Sequence, residues 1–422
     1  MMFNKTNIAP IAIIAILFFI FGFVTWLNGS LIPFLKVICN LSDFEALFVT
    51  FVFYIAYTIM ALPMSYLLEH IGYKDGMVVG LVIMSIGSLL FIPAALSASF
   101  ALFLLALFIL ATGLTILQTA SNPYVIAIGP MESAAMRISL MGLLNKSAGV
   151  LAPLLFSAIV LFDTTSLENL SALEKENLAS KLILPYIVMA AILAGLVFLV
   201  KHPSLPDINL KREKNFAKKS IFEFPHLILG AVALFFYVGI EVIAADTIGL
   251  YGKFLGIENY TALTSLTMLF MVLGYLVGIF GIPKYLSQEK ALIYSALLGI
   301  LFLFFVLVSN EEHYISQILW GWSGLDTLPN SIVFVALLGF ANALVWPTIW
   351  PFALKGLGKY TAQGSAILIM AISGGAILPL IFGKIASLSH DMQSAYFIGF
   401  ICYAFILIYA LKWHKIKSWN EL

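Results

Sequence analysis

Residues 182–200 read LILPYIVMAAILAGLVFLV, an uncharged run closed by Lys181 at one end and Lys201 at the other. As a helix this run is roughly 28 Å long, close to the hydrocarbon thickness of a bilayer, about 30 Å. It has no polar face to offer water. In lipid it needs none, because a helix pairs its own backbone groups. The rest of the chain is similar in composition. Of 422 residues, 62% are hydrophobic and 10% charged, with a mean hydropathy of +1.05. A soluble domain carries about 45–50% apolar and roughly 25% charged residues. The apolar share here is about 262 residues, and twelve spanning helices of about 20 would use roughly 240. The solvent for most of this chain is lipid.

Apolar runs bounded by charges and turn residues predict twelve spans, near 9–36, 44–69, 76–96, 99–128, 137–162, 182–200, 226–256, 260–282, 289–309, 329–354, 358–386 and 391–413. None alternates with the two-residue period of barrel strands. The first lacks a small-residue cleavage site and reads as a retained helix. With the N-terminus inside, sixteen of the 22 Lys and Arg residues fall on the cytoplasmic side and five outside, with Lys146 within a span. The positive-inside rule therefore places both termini in the cytoplasm. The loop 163–181, with Asp163, Glu168, Glu174 and Glu176, is then external. The stretch 310–328, with Trp320 and Trp322, reads as lying in the external interface.

Several function classes drop out. A net charge of +1 provides no field for nucleic acid. Cys39 and Cys402 sit far apart in apolar stretches, with no disulfide framework and no metal box. There is no phosphate-binding Gly-x-x-x-x-Gly-Lys-Ser/Thr loop and no hydrolase nucleophile motif. No two of the six histidines stand four apart on one helix. Neither a metal nor a cofactor is expected.

The segment 201–225 is the only long basic linker, and it divides the spans six and six. SAGVLAPLLF, Ser147 to Phe156 in span five, returns as SGGAILPLIF, Ser373 to Phe382 in span eleven, at an offset of 226. FFIFGF from Phe18 in span one is echoed by FFYVGI from Phe235 in span seven, at an offset of 217. These repeats predict an all-α membrane protein of twelve transmembrane helices in two six-helix halves, 1–200 and 226–422, joined by a cytoplasmic linker. Glycine pairs such as Gly274 and Gly278 read as sites of close helix packing.

Polar groups at membrane depth are costly and usually face a cavity. In span four, LQTASNPY puts Gln118 and Asn122 four apart on one stripe, followed by Pro123. Span one carries Trp26 and Asn28 beside Gly29 and Ser30, and span ten carries Asn342, Trp346 and Trp350 at i, i+4 and i+8, with Pro347 and Pro351 bending the stripe. Amides and flat aromatic rings suit a sugar, whose C–H faces stack while its hydroxyls need bidentate partners. The competing reading is that the amides are interhelical hydrogen bonds and the tryptophans helix packing. Three charges also lie within spans. Lys146 follows Asn145 in span five, and Glu241 and Asp246 in span seven stand about 140° apart around the axis. The simplest pairing joins Lys146 to Asp246 or Glu241 across the two halves, as a bridge made and broken during transport or as a static support.

The stretches FFIFGFVTWLNGSLIPFLK, ILQTASNPYV and WPTIWPFALKGLGKYTAQGSAILIMAISGGAILPL resemble spans one, four, and ten to eleven of the fucose:proton symporter family of the major facilitator superfamily. The likeness is strongest to its glucose/galactose and N-acetylglucosamine branch and runs through both halves. The resemblance implies the major facilitator fold and cation-linked uptake of a hexose across a bacterial inner membrane by alternating access. It implies that Asn28, Gln118, Asn122 and Asn145 lie at or near the sugar path. EHIGYKDG, Glu69 to Gly76, stands where the superfamily has its loop between helices two and three. There His70, Lys74 and Asp75 are implied to latch helix ends, as is Arg137 at the start of span five. Two departures matter. Asn28-Gly29 stands where the family often has Asn-Asp, and Gln118 where the fucose branch has Glu. Both familiar titratable positions are therefore non-ionisable. On the internal alignment Gly29 corresponds to Asp246.

The reading that follows is a monomeric secondary transporter for a neutral hexose or amino-hexose, with a proton or sodium ion as co-substrate. Uncoupled diffusion is an alternative. A carrier of an anionic sugar held by Lys146 is a rival, and a membrane sensor that kept the fold without transport is another.

Overall fold

The computed structural model describes residues 8–129, 134–160, 171–202, 205, 220–282, 284–309, 312, 314–324 and 326–421. Most of the linker 201–225 and part of the loop 163–181 lie outside them, as does the side chain of Asn28. Twelve helical segments are long and apolar enough to cross a membrane: Pro10–Ile38, Phe44–Leu68, His70–Ser97, Phe100–Ala127, Arg137–Val160, Leu173–Lys201, Pro225–Asp246, Tyr260–Gly281, Gln288–Val308, Asn330–Ala353, Gln363–Ser389 and Met392–Lys415. These are spans one to twelve below. Large apolar side chains such as Leu96, Phe198 and Phe280 stand exposed around the bundle, as a lipid-facing surface requires.

Near the start of span three the chain turns at Gly72, whose φ of 83° lies in the left-handed region open to glycine. Within each half, a glycine lets two backbones meet. A methyl group at Gly22 in span one would overlap the backbone of Asn145 in span five, and one at Gly374 in span eleven the backbone of Phe235 in span seven. The spans related by the sequence repeat thus pack in the same pairs. Gly274 and Gly278 face Ala343 and Leu344 of span ten, as close packing demands. Between the halves, span five lies against span eight and span two against span eleven.

Several spans are interrupted, span six at Lys181 and Leu182 and span eleven at Ala371–Ser373 among them, and three further breaks bear on the site. Span one breaks at Leu27, between helices Ile8–Trp26 and Asn28–Ile38. The apolar run predicted as one span over 226–256 ends its first helix at Asp246 and resumes as a short helix, Ile248–Phe254. Span ten breaks at Ala343 and Leu344, between helices Asn330–Asn342 and Val345–Ala353. There Pro347 cannot donate a backbone hydrogen bond to the turn before it.

Three of the side-chain hydrogen bonds between the halves lie at the end of the bundle where span one finishes. Ser30 Oγ donates to the Thr261 carbonyl at 3.1 Å, Ser265 Oγ to the Val150 carbonyl at 2.9 Å, and Ser157 Oγ lies 3.4 Å from Thr261 Oγ1.

Candidate functional site

Between the halves lies a cavity with about 670 Å³ of empty space, its open side included. Spans one, two, four and five supply one wall, and spans seven, eight, ten and eleven the other. Of the residues singled out in the sequence, Trp26, Gln118, Asn122, Asn145, Lys146, Glu241 and Trp346 line it.

The amides are held by their neighbours. Gln118 Nε2 donates to the Tyr57 hydroxyl at 3.0 Å, which ties span four to span two. Asn122 Nδ2 folds back onto the Gln118 carbonyl at 2.9 Å, one turn before the helix loses a donor at Pro123. Asn145 Oδ1 accepts from the Trp26 indole N–H at 3.1 Å, and its Nδ2 donates to the Phe18 carbonyl at 3.3 Å. These side chains both pack helices and face the cavity, so the two readings of the amides are not exclusive.

Across the cavity, Lys146 Nζ meets Glu241 Oε1 at 2.9 Å, with the two residues 6% and 7% exposed. Of the two carboxylates open to Lys146, Glu241 is the one it pairs with. Tyr237 donates to the same Oε1 at 2.7 Å, one helical turn before Glu241. Lys146 Nζ also lies 3.7 Å from the centroid of the Trp26 ring, a cation–π contact. One lysine is thus held by an anion from the opposite half and an aromatic face from its own. Asp246 lies off the cavity, where Thr50 Oγ1 donates to its Oδ2 at 3.4 Å.

Span ten corrects the expected stripe. Trp346 lines the cavity, but Asn342 and Trp350 are buried away from it. Asn342 Oδ1 accepts from the Tyr403 hydroxyl at 2.8 Å, joining span ten to span twelve. The break at Ala343 and Leu344 separates Asn342 from the helix that carries Trp346, so their spacing of four no longer means one face.

The expected latch residues sit at helix ends. Buried Arg137 donates from Nε and Nη2 to the carbonyls of Val125 and Ile126, both at 2.9 Å, at the C-terminal turn of span four. Lys74 Nζ reaches the carbonyls of His202 at 3.2 Å and Leu205 at 3.0 Å, joining the turn after span two to the end of span six. His70 bonds the Tyr66 carbonyl one turn earlier in its own helix, and Asp75 is exposed.

Four tyrosines, Tyr54, Tyr57, Tyr237 and Tyr275, line the cavity and were not singled out in the sequence. Tyr237 stands four residues before Glu241, and that spacing beside an intramembrane carboxylate was the available signal.

A model of the Major Facilitator Superfamily matches residues 14–379. The chain is 36% identical over 412 residues to a glucose/galactose transporter of Brucella abortus, covering 94% of this chain and 92% of that one. It is 34% identical over 423 residues to a putative glucose/galactose transporter of Helicobacter pylori, covering 98% of both. Among solved structures, the fold is similar to the Escherichia coli fucose:proton symporter, with a TM-score of 0.76 at 24% identity over 96% of this chain and 98% of that one.

Proposed function

The chain belongs to the Major Facilitator Superfamily, and on that premise we propose that it takes up a hexose of the glucose or galactose type by cation-coupled alternating access. The observation that supports this reading is the cavity between the halves, where Gln118, Asn122 and Asn145 stand beside the rings of Trp26 and Trp346. Neutral amides bond hydroxyls in either direction, and the indole faces receive the C–H face of a pyranose ring. A sugar acid would need Lys146 free, but Glu241 already holds it at 2.9 Å, which favours a neutral sugar. In this reading residues 1–200 and 226–422 rock about the cavity, and sugar binding acts on the bridge that joins them. The excess of Lys and Arg in 201–225 and at both termini supports a cytoplasmic location for those segments, and the bacterial relatives support a bacterial inner membrane.

The test is purified protein in proteoliposomes, assayed for exchange of labelled glucose, galactose, fucose and N-acetylglucosamine, and then for accumulation under imposed pH or sodium gradients. Exchange of glucose or galactose in preference to the others is the expected result. Absence of exchange with every hexose would overturn the reading.

A further inference from the structure

Asp246 is fully buried and is the last residue of the first helix of span seven. Among the described residues its only hydrogen bond is the 3.4 Å contact from Thr50, and its Oδ1 has no partner there. Among the described residues, the ionisable groups that act on it are Glu241 on its own span, Lys146 on span five and Tyr54 on span two. Lys146 is already engaged by Glu241, so that pair leaves no net positive charge for a second carboxylate. Asp246 also stands at the negative end of a helix dipole. A bare anion in this position would be strongly disfavoured, because a charge in a dry interior needs a counter-charge or a full set of hydrogen bonds.

The neighbouring oxygens decide which cation can neutralise it. A helix break in a transporter often leaves carbonyls free to hold sodium. Here each of those carbonyls already accepts a hydroxyl hydrogen bond. Ile243, Ala244 and Ala245 accept from the hydroxyls of Thr247, Thr267 and Thr264 at 2.6, 3.1 and 2.7 Å. Thr247 Oγ1 is in turn 3.3 Å from the Tyr396 hydroxyl of span twelve. A metal ion would have to compete with these hydrogen bonds for its ligands, whereas a proton needs only the carboxyl oxygen itself.

We propose that Asp246 is the proton site of the transport cycle, separate from the sugar cavity and closed by Thr50 from the opposite half. The proposal rests on the reading of the chain as a coupled sugar transporter. When the halves part at the end marked by the Ser30–Thr261 contact, Thr50 withdraws and water reaches the carboxylate, which takes up a proton. Closure then buries a neutral carboxyl. Release runs toward the cavity past Tyr54, which lines it and whose hydroxyl is buried without a partner among the described residues.

The experiment compares the wild type with Asp246→Asn and Asp246→Glu in proteoliposomes, using labelled glucose or galactose. A pH gradient of one unit supports about tenfold accumulation when one proton moves with one sugar. The wild type accumulates sugar under this gradient and takes up protons when sugar is added. Asp246→Asn keeps sugar exchange without a gradient but loses accumulation and sugar-linked proton uptake, and Asp246→Glu retains both. Exchange by Asp246→Asn also reports that the variant is folded. Accumulation by Asp246→Asn at the wild-type level would overturn the proposal. Wild-type accumulation driven by sodium at matched pH would do so too, as would wild-type exchange without proton uptake, and these last two hold even if the variant does not fold. Failure of exchange in the wild type would instead count against the transporter reading itself.

Discussion

Glu241→Gln leaves the Lys146 charge in the cavity wall without its anion, and Lys146→Met leaves Glu241 without its cation. Breaking a buried pair in this one-sided way costs about 3–5 kcal/mol when the site is dry, and cavity water reduces that figure here. Each single variant is expected to unfold at lower temperature in detergent, and Lys146→Met/Glu241→Met to recover most of the loss. Equal melting of Glu241→Gln and wild type would remove the bridge as a stabilising element. The two asparagines make a second contrast. Asn145→Ala frees the Trp26 indole N–H in the cavity and should raise the half-saturating sugar concentration about tenfold, the equivalent of one well-made hydrogen bond. Asn342→Ala removes the acceptor of Tyr403 outside the cavity, so it should lower thermal stability and leave that concentration unchanged. Both residues were visible in the sequence as amides in apolar runs. Which of them faces the cavity was not, because the orientation of Asn342 depends on where span ten breaks.

At the scale of helices, the paired glycines govern how close the spans stand. Gly22→Leu or Gly374→Leu would force backbones apart, and the yield of folded protein by size-exclusion chromatography should fall sharply. Gly195→Ala, at a position with nothing within 4 Å of the added methyl group, should leave yield and melting temperature near wild type. Twelve spans were legible because lipid demands long apolar runs, and the pairing of spans one and five with seven and eleven was foreshadowed by the repeat. The break after Asp246 was not legible. No proline or glycine marks it at Thr247, and two of the carbonyls it loosens are satisfied by Thr264 and Thr267 of span eight. A stop that depends on a neighbouring helix leaves no local signal in the sequence. The break in span ten was half legible, since Pro347 announced a bend but not its position.

Across the whole molecule, one contact between the halves sets two hydroxyls face to face, Ser157 and Thr261, with oxygens 3.4 Å apart. With Cys39 and Cys402 replaced by serine, Ser157→Cys/Thr261→Cys should form a disulfide under mild oxidation and stop sugar exchange. Reduction should restore it. Exchange that continues through the cross-linked protein would mean that this end of the interface stays closed throughout the cycle. The same movement carries its own optical signal. Lys146 lies on the Trp26 ring while its charge is held from the other half by Glu241. Any step that parts the halves or draws the lysine toward a ligand therefore changes the electric field on one indole among the seven tryptophans of the chain. The intrinsic fluorescence of unlabelled protein should shift as sugar is titrated, and Trp26→Phe should reduce the shift to what Trp346 contributes.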